Sequence, residues 1–232
     1  MFSTMDKFAV DLLLNLKSTV IPKMINIIIL DWDDTLFPTE YFKTRIDMLH
    51  NHALIPQEIN LKLRTIASNI IKIITIVKTY GNISIISNAS KEWLQLCFDV
   101  IPEIIPNLRT IDIISAQDNF KKLSNNPAKW KEWTFYHHIV NTINIYNYSL
   151  VETKHNCYNI LSIGDSIHER NALKINTTHL RKHNPNYILS KTIKLVEKPT
   201  FESIIKQLDI LFHILSKIEN INSLYDEDYN LF

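Results

Sequence analysis

The stretch that most constrains the fold is Ile27-Ile28-Ile29-Leu30, an unbroken apolar run that stops at Asp31 and is followed by Asp33, Asp34 and Thr35. Consecutive β-branched and leucyl residues suit a strand buried on both faces, as in a parallel sheet covered by helices. In open sheets of that kind ligands collect just outside the carboxyl ends of the strands, so Asp31 is expected where chemistry is done. Side chains alternate along an extended segment. Asp31 and Asp33 can therefore share one side while Trp32 points elsewhere. Two carboxylates in one site either raise a pKa or recruit a cation.

The rest of the chain supplies the partners of that strand. Residues 7–16, with Phe8, Leu12, Leu13 and Leu16 on one helical face, predict a leading helix that Pro22 ends. A helical segment is expected over 40–52. A longer helix opens at Pro56 and carries Ile59, Leu63, Ile66, Ile70, Ile73, Ile74 and Val77, with Gly81 as its C-terminal stop. Strands are predicted at 83–87, 110–115 and 158–163, and shorter ones at 177–180 and 192–196. Helices are predicted around Trp93 to Phe98, over 127–145 after a polar loop, over 167–174, and from Pro199 through Ile204, Leu208, Leu211 and Leu215. Strands that alternate with helices over most of the length indicate parallel crossover units. The fold class expected is α/β, a three-layer sandwich on a mainly parallel, Rossmann-like sheet. The organisation is a helical extension over 1–22, one α/β domain over 23–220, and a flexible acidic tail over 221–232 containing Asp226, Glu227 and Asp228. The roughly 50 residues between the first two strands leave room for helices only, so any cap over the site is small or absent.

Composition removes several function classes. The 232 residues carry 25 basic and 24 acidic side chains, so no basic face for nucleic acid is signalled. Gly81 and Gly164 are the only glycines, and neither a Walker loop nor a dinucleotide fingerprint can be written with them. No apolar run approaches the roughly 18 residues of a membrane span. The early charges Asp6, Lys7, Asp11 and Lys17 interrupt any signal-peptide core. Cys97 and Cys157, 60 positions apart in apolar settings, read as buried reduced thiols. A cytoplasmic protein without membrane contact is expected. Oligomeric state leaves no mark in the sequence.

Four chemical features fall at strand ends in order. Asp31, Asp33 and Thr35 come first, then Ser87 with Asn88, then a lysine, Lys129 or Lys131, and finally Asp165 with Glu169. Written out they are Asp31-Trp32-Asp33-Asp34-Thr35, Ser87-Asn88, Trp130-Lys131 and Gly164-Asp165-Ser166-Ile167-His168-Glu169. This order resembles the haloacid dehalogenase superfamily in its small-cap, phosphatase-like form, over roughly residues 25 to 200. Lys131, following Trp130 and preceding Phe135, is favoured over Lys129. Two departures from the usual pattern are Asp34, where glycine is frequent, and Glu169 in place of a second aspartate.

The resemblance implies a Mg²⁺-dependent phosphohydrolase. Asp31 would be the nucleophile that forms an aspartyl-phosphate, and Asp33 the acid and then the base. Ser87 and Asn88 would bind the phosphoryl group, with Thr35 bracing the loop, and Lys131 would offset the charge. Mg²⁺ would rest on Asp31, the Asp33 carbonyl and Asp165, with Glu169 bound directly, through water, or orienting Asp165. The physical chemistry agrees: anionic phosphate esters repel nucleophiles, so hydrolysis needs charge neutralisation and an in-line attack. The partner would be a phosphorylated small molecule or macromolecule. Two other classes fit the same motifs less closely. A signalling receiver has no counterpart of Asp33 and is about half this length. A phosphate-binding or regulatory protein would keep the scaffold with little turnover. Of the remaining candidates, Asp34 is expected to face solvent, Trp32 to pack on the sheet, and His137 and His138 to be surface or core groups. His168 is adjacent to the acidic motif, and Lys121 and Lys122 form a solvated pair.

Overall fold

The computed structural model describes residues 23–149, 156–183, 187–217, 222–223 and 225–231. The helix expected over 7–16 lies outside the described residues. Strand β1 (Met24–Leu30) leads through α1 (Thr39–Lys43), α2 (Ile46–His50) and a 3-10 turn to the long α3 (Gln57–Lys78). Then follow β2 (Gly81–Ser87), α4 (Lys91–Val100), a second 3-10 turn, the short α5 (Ile105–Leu108), β3 (Asp112–Ser115), α6 (Ala116–Phe120) and α7 (Pro127–Ser149). The chain continues with β4 (Cys157–Gly164), α8 (Ile167–His183), β5 (Tyr187–Lys194), α9 (Phe201–Leu215) and β6 (Glu227–Asn230).

The six strands form one sheet in the order β3-β2-β1-β4-β5-β6, and every neighbouring pair is parallel. Alternation along β1 divides the core. Ile28 and Leu30 face α3, α4 and α9, while Ile25, Ile27 and Ile29 face α7 and α8. The result is the expected three-layer α/β sandwich on a parallel, Rossmann-like sheet. Strand order runs one way from β1 to β3 and the other way from β4 to β6. The reversal between β1 and β4 is a switch point, where the first turns after the two strands diverge and open a crevice. Leu30 is in register with Ile163, so Asp31 and Asp165 emerge on either side of that crevice.

Several expectations are corrected. Gly81 is not a helix cap. Helix α3 closes through Thr79, whose N–H bonds the Ile76 carbonyl, and no glycine has a positive φ. Gly81 instead opens β2 opposite Asn26, where a Cβ would lie 2.2 Å from the Asn26 carbonyl oxygen. The segment 40–52 is broken at Arg45, whose guanidinium takes the Tyr41 carbonyl at 3.0 Å and sits 4.3 Å from the Tyr41 ring centre. In a continuous helix that carbonyl would accept the Arg45 backbone N–H, which bonds Phe42 instead. Residues 177–180 are no strand but lie inside α8, with Thr177 and Leu180 on its buried face. Part of the polar loop expected after β3 is α6, N-capped by Ser115. The acidic segment is exposed as expected but not frayed. Asp226 bonds Arg181 at 2.6 Å, Asp228 accepts from Thr192 at 2.6 Å and pairs with Lys174, and Glu227–Asn230 extends the sheet beside β5. Charges that would repel as a free tail are matched here by basic residues of α8. Both cysteines are buried and free. No helix among the described residues is long and apolar enough to cross a membrane.

Candidate active site

The loop after β1 is a tight turn in which the Trp32 carbonyl accepts N–H groups from Leu36 (2.9 Å) and Phe37 (3.0 Å). It is anchored from below by Trp32, which is fully buried, stacks on Phe37 and meets Phe98 edge-on at 4.9 Å. Its tip requires a left-handed residue. Asp34 takes φ 54°, a conformation that aspartate tolerates better than most side chains. Contrary to expectation Asp34 does not face solvent: it is 5% exposed, and its Oδ1 accepts the Glu40 backbone N–H at 2.8 Å. The reason lies in α1, whose N-cap is Pro38 and supplies no capping side chain. Asp34 takes that role from outside the helix.

With the loop fixed, four buried groups meet at the ends of β1 and β4. Lys131, 1% exposed on α7, forms an ion pair with Asp31 Oδ1, donates to the Ile86 carbonyl at 2.7 Å, and lies 3.1 Å from Glu169 Oε1. Lys129 is on the surface, bonded to Glu132 at 2.8 Å. Glu169 is itself buried, and its Oε2 accepts from the Ser166 backbone at 3.1 Å and hydroxyl at 2.5 Å. Its two oxygens thus seat Lys131 and close the first turn of α8. Gly164 makes room for this: a Cβ there would lie 2.6 Å from Glu169 Cγ. The Thr35 hydroxyl accepts the Asp165 backbone N–H at 2.9 Å and lies 3.4 Å from both Asp31 Oδ2 and Asp165 Oδ1, joining the two strand ends.

A second cluster surrounds Asp33. Its Oδ2 accepts the Ser87 hydroxyl at 2.6 Å, and its Oδ1 accepts the Thr39 hydroxyl at 2.6 Å and the Trp93 indole N–H at 2.9 Å. Ser87 Oγ also accepts the Ala89 N–H at 2.8 Å. Asn88 donates to the Pro127 carbonyl at 3.2 Å, leaving its buried Oδ1 without a partner. His168 is exposed at the start of α8, whereas His138 is buried on α7. The sequence did not single out Thr39, Trp93 or Ser166. Trp93 was read only as part of a helix, and its place three residues past the cap Ser90 is the one local sign that it sits at the sheet's carboxyl edge.

The electrostatics are unbalanced. Burial, then the charges of Glu169, Asp33 and Asp165, raise the Asp31 carboxyl well above the usual range against the opposing pull of Lys131. Asp165 is pushed up to about 7, by burial first and then by Glu169 and Asp34. Glu169 resists its own burial because Lys131 and the Ser166 hydrogen bond hold it below the usual value. Lys131 is held charged: burial opposes this, but Asp31 and Glu169 outweigh it. One ammonium therefore serves two carboxylates, Asp31 and Glu169, and no ion pair among the described residues reaches Asp165. That deficit is what a divalent cation would offset. The donors suit a hard ion that takes one or two carboxylates and completes its shell with carbonyl and water oxygens. Among the described residues no three His, Cys, Asp or Glu side chains converge as in a metal cage.

The chain matches no protein-family model and no curated protein. Among solved structures it is similar to the HAD domain of effector protein Lem4 from Legionella pneumophila, with 12% identity, 84% of this chain and 99% of that one covered, and a TM-score of 0.35.

Proposed function

We propose that this protein is a Mg²⁺-dependent phosphomonoester hydrolase working through an aspartyl-phosphate on Asp31. The observation that carries the reading is the buried Asp31–Lys131 pair at the end of β1, facing Asp165 across the switch point, with Asp33 and Ser87 beside it. The motif order that resembles the haloacid dehalogenase superfamily supports it. Mg²⁺ held by Asp31, Asp165 and the Asp33 carbonyl would supply charge neutralisation for the phosphoryl group.

The chain's own groups divide the remaining work. Lys131 holds Asp31 in place and favours its ionised form. An Asp31 oxygen bonds to phosphorus as the ester P–O bond breaks, and Asp33 gives its proton to the departing oxygen. Water then attacks phosphorus, Asp33 takes a proton from it, and the bond to Asp31 breaks to release phosphate. Ser87 and Asn88, at the end of β2, line the side on which the phosphoryl oxygens would lie. Glu169 keeps Lys131 seated and touches neither reactant.

The test is phosphate release from 4-nitrophenyl phosphate with Mg²⁺ or EDTA, by wild type and Asp31→Asn. Metal-dependent turnover that falls at least about 10³-fold in the variant is expected. Equal rates in both proteins would end the reading. A second reading, a phosphate-binding protein with little turnover, draws on the closed state of Asp33, whose oxygens already accept three hydrogen bonds. Phosphate binding by both proteins without turnover by either would favour it.

A further inference from the structure

We propose that Trp93 is a positioning residue for Asp33, holding its carboxylate in one orientation toward the leaving oxygen and thereby favouring esters whose leaving alcohols are basic. This rests on the phosphohydrolase reading and assigns a residue outside the four motifs.

Asp33 is half-buried and its two oxygens are treated differently. Oδ1 accepts from the Trp93 indole at 2.9 Å and from Thr39 at 2.6 Å, while Oδ2 accepts from Ser87 alone, at 2.6 Å. A hydroxyl can rotate and become an acceptor. An indole N–H can only donate. The indole therefore holds Oδ1 on a donor that cannot turn, while Oδ2 rests on a hydroxyl that can, so the orientation of the carboxylate is set from the Trp93 side.

Trp93 is well held for this role. The Ser90 side chain caps α4 by accepting the Trp93 backbone N–H at 3.2 Å, and the next turn is buried through Leu94, Cys97 and Phe98. Phe98 in turn packs against Trp32, the anchor of the loop that carries Asp33. The indole and its acceptor therefore share one rigid support. In the first step the Asp33 proton passes to the ester oxygen as its bond to phosphorus breaks. In the second, Asp33 takes a proton from water as the water oxygen bonds phosphorus and the Asp31–phosphorus bond breaks. Protons and bonds balance without another reactant. Nitrophenolate departs without help, but an alkoxide needs the proton. Misplacing Asp33 must then hurt alkyl esters more.

The experiment compares wild type, Trp93→Phe and Asp31→Asn on 4-nitrophenyl phosphate and benzyl phosphate. Phenylalanine keeps the ring and removes the donor. In Trp93→Phe the ratio of kcat/KM for the benzyl over the nitrophenyl ester is expected to fall about tenfold or more, through kcat. A readout independent of turnover is the indole ¹⁵N–¹H spectrum, which has one signal for each of four tryptophans. The signal missing in Trp93→Phe should move in Asp33→Asn, where a carboxylate acceptor becomes an amide. Equal losses on both esters, or a Trp93 signal indifferent to Asp33→Asn, would overturn the positioning role. If instead Asp31→Asn matches wild type, the hydrolase reading itself falls, and this inference with it.

Discussion

At the scale of single residues the site depends on who holds whom. Gly164 is required because Glu169 lies where its Cβ would be, and Glu169 is required because it seats Lys131. Gly164→Ala should therefore cost about 1–3 kcal/mol in urea unfolding, since the neighbour is a buried carboxylate with both oxygens in use. Phosphate release should fall by roughly 10² as Lys131 shifts against Asp31. Unchanged unfolding with unchanged turnover would show that Glu169 has somewhere else to go. Asp31, Ser87 and Asp165 could be placed together from the sequence because each closes or follows a strand whose apolar run ends there, whereas Lys131, on α7, was favoured over Lys129 only through the resemblance. Trp93 was not legible as a partner of Asp33, since periodicity reports which face of a helix is buried and not where an indole N–H points. Asp34 was misread for a related reason: a carboxylate in a turn looks solvated until the helix it caps, and that helix's lack of a cap of its own, are seen.

At the scale of elements, local rules were overridden where tertiary partners were stronger. The segment 40–52 carries a helical pattern, but the Arg45 side chain competes for a backbone carbonyl and divides it. The acidic tail has the composition of a frayed end, yet Arg181, Lys174 and Thr192 convert it into an edge strand. The segment from Thr177 to Leu180 was expected as a strand, but α8 runs through it with Thr177 and Leu180 on its buried face. Helix α1 gives the sharpest test. Asp34→Ala loses the bond to Glu40 and forces alanine into the left-handed region, so a loss of about 2–3 kcal/mol is expected. Asp34→Gly loses the same bond without the strain and should be about 1 kcal/mol better. Chemical denaturation of both variants distinguishes them. The reverse ranking would mean that the φ of 54° at this position is not what the folded chain demands.

At the scale of the whole molecule the unbalanced charge couples stability to pH and to metal. Asp165 has an ordinary value near 3.8 and stands at about 7 when folded, so between those values the native state holds a proton the unfolded chain has released. Stability of metal-free protein should therefore fall as pH rises through that window and level off above it, and the raised Asp31 adds the same sign. Asp165→Asn should flatten the slope. Mg²⁺ held at the proposed site would compete with the same proton, so the rise in Tm that it produces should be larger at about pH 8 than at about pH 5. Thermal melts in EDTA and in Mg²⁺ at both values decide it, and a metal effect independent of pH would place the ion elsewhere. One feature of the sheet reaches further. Thr35 and Asp165, which share a hydrogen bond, stand 130 positions apart, and β1 finds its register on β4 only after β2 and β3 have been threaded between them in the chain. Closure of so long a loop is late and slow, because its entropy is spent before its contacts form. Nascent or truncated chains that stop short of β4 therefore contain Asp31 but no crevice, and the proposed chemistry would wait on the pairing of β1 with β4.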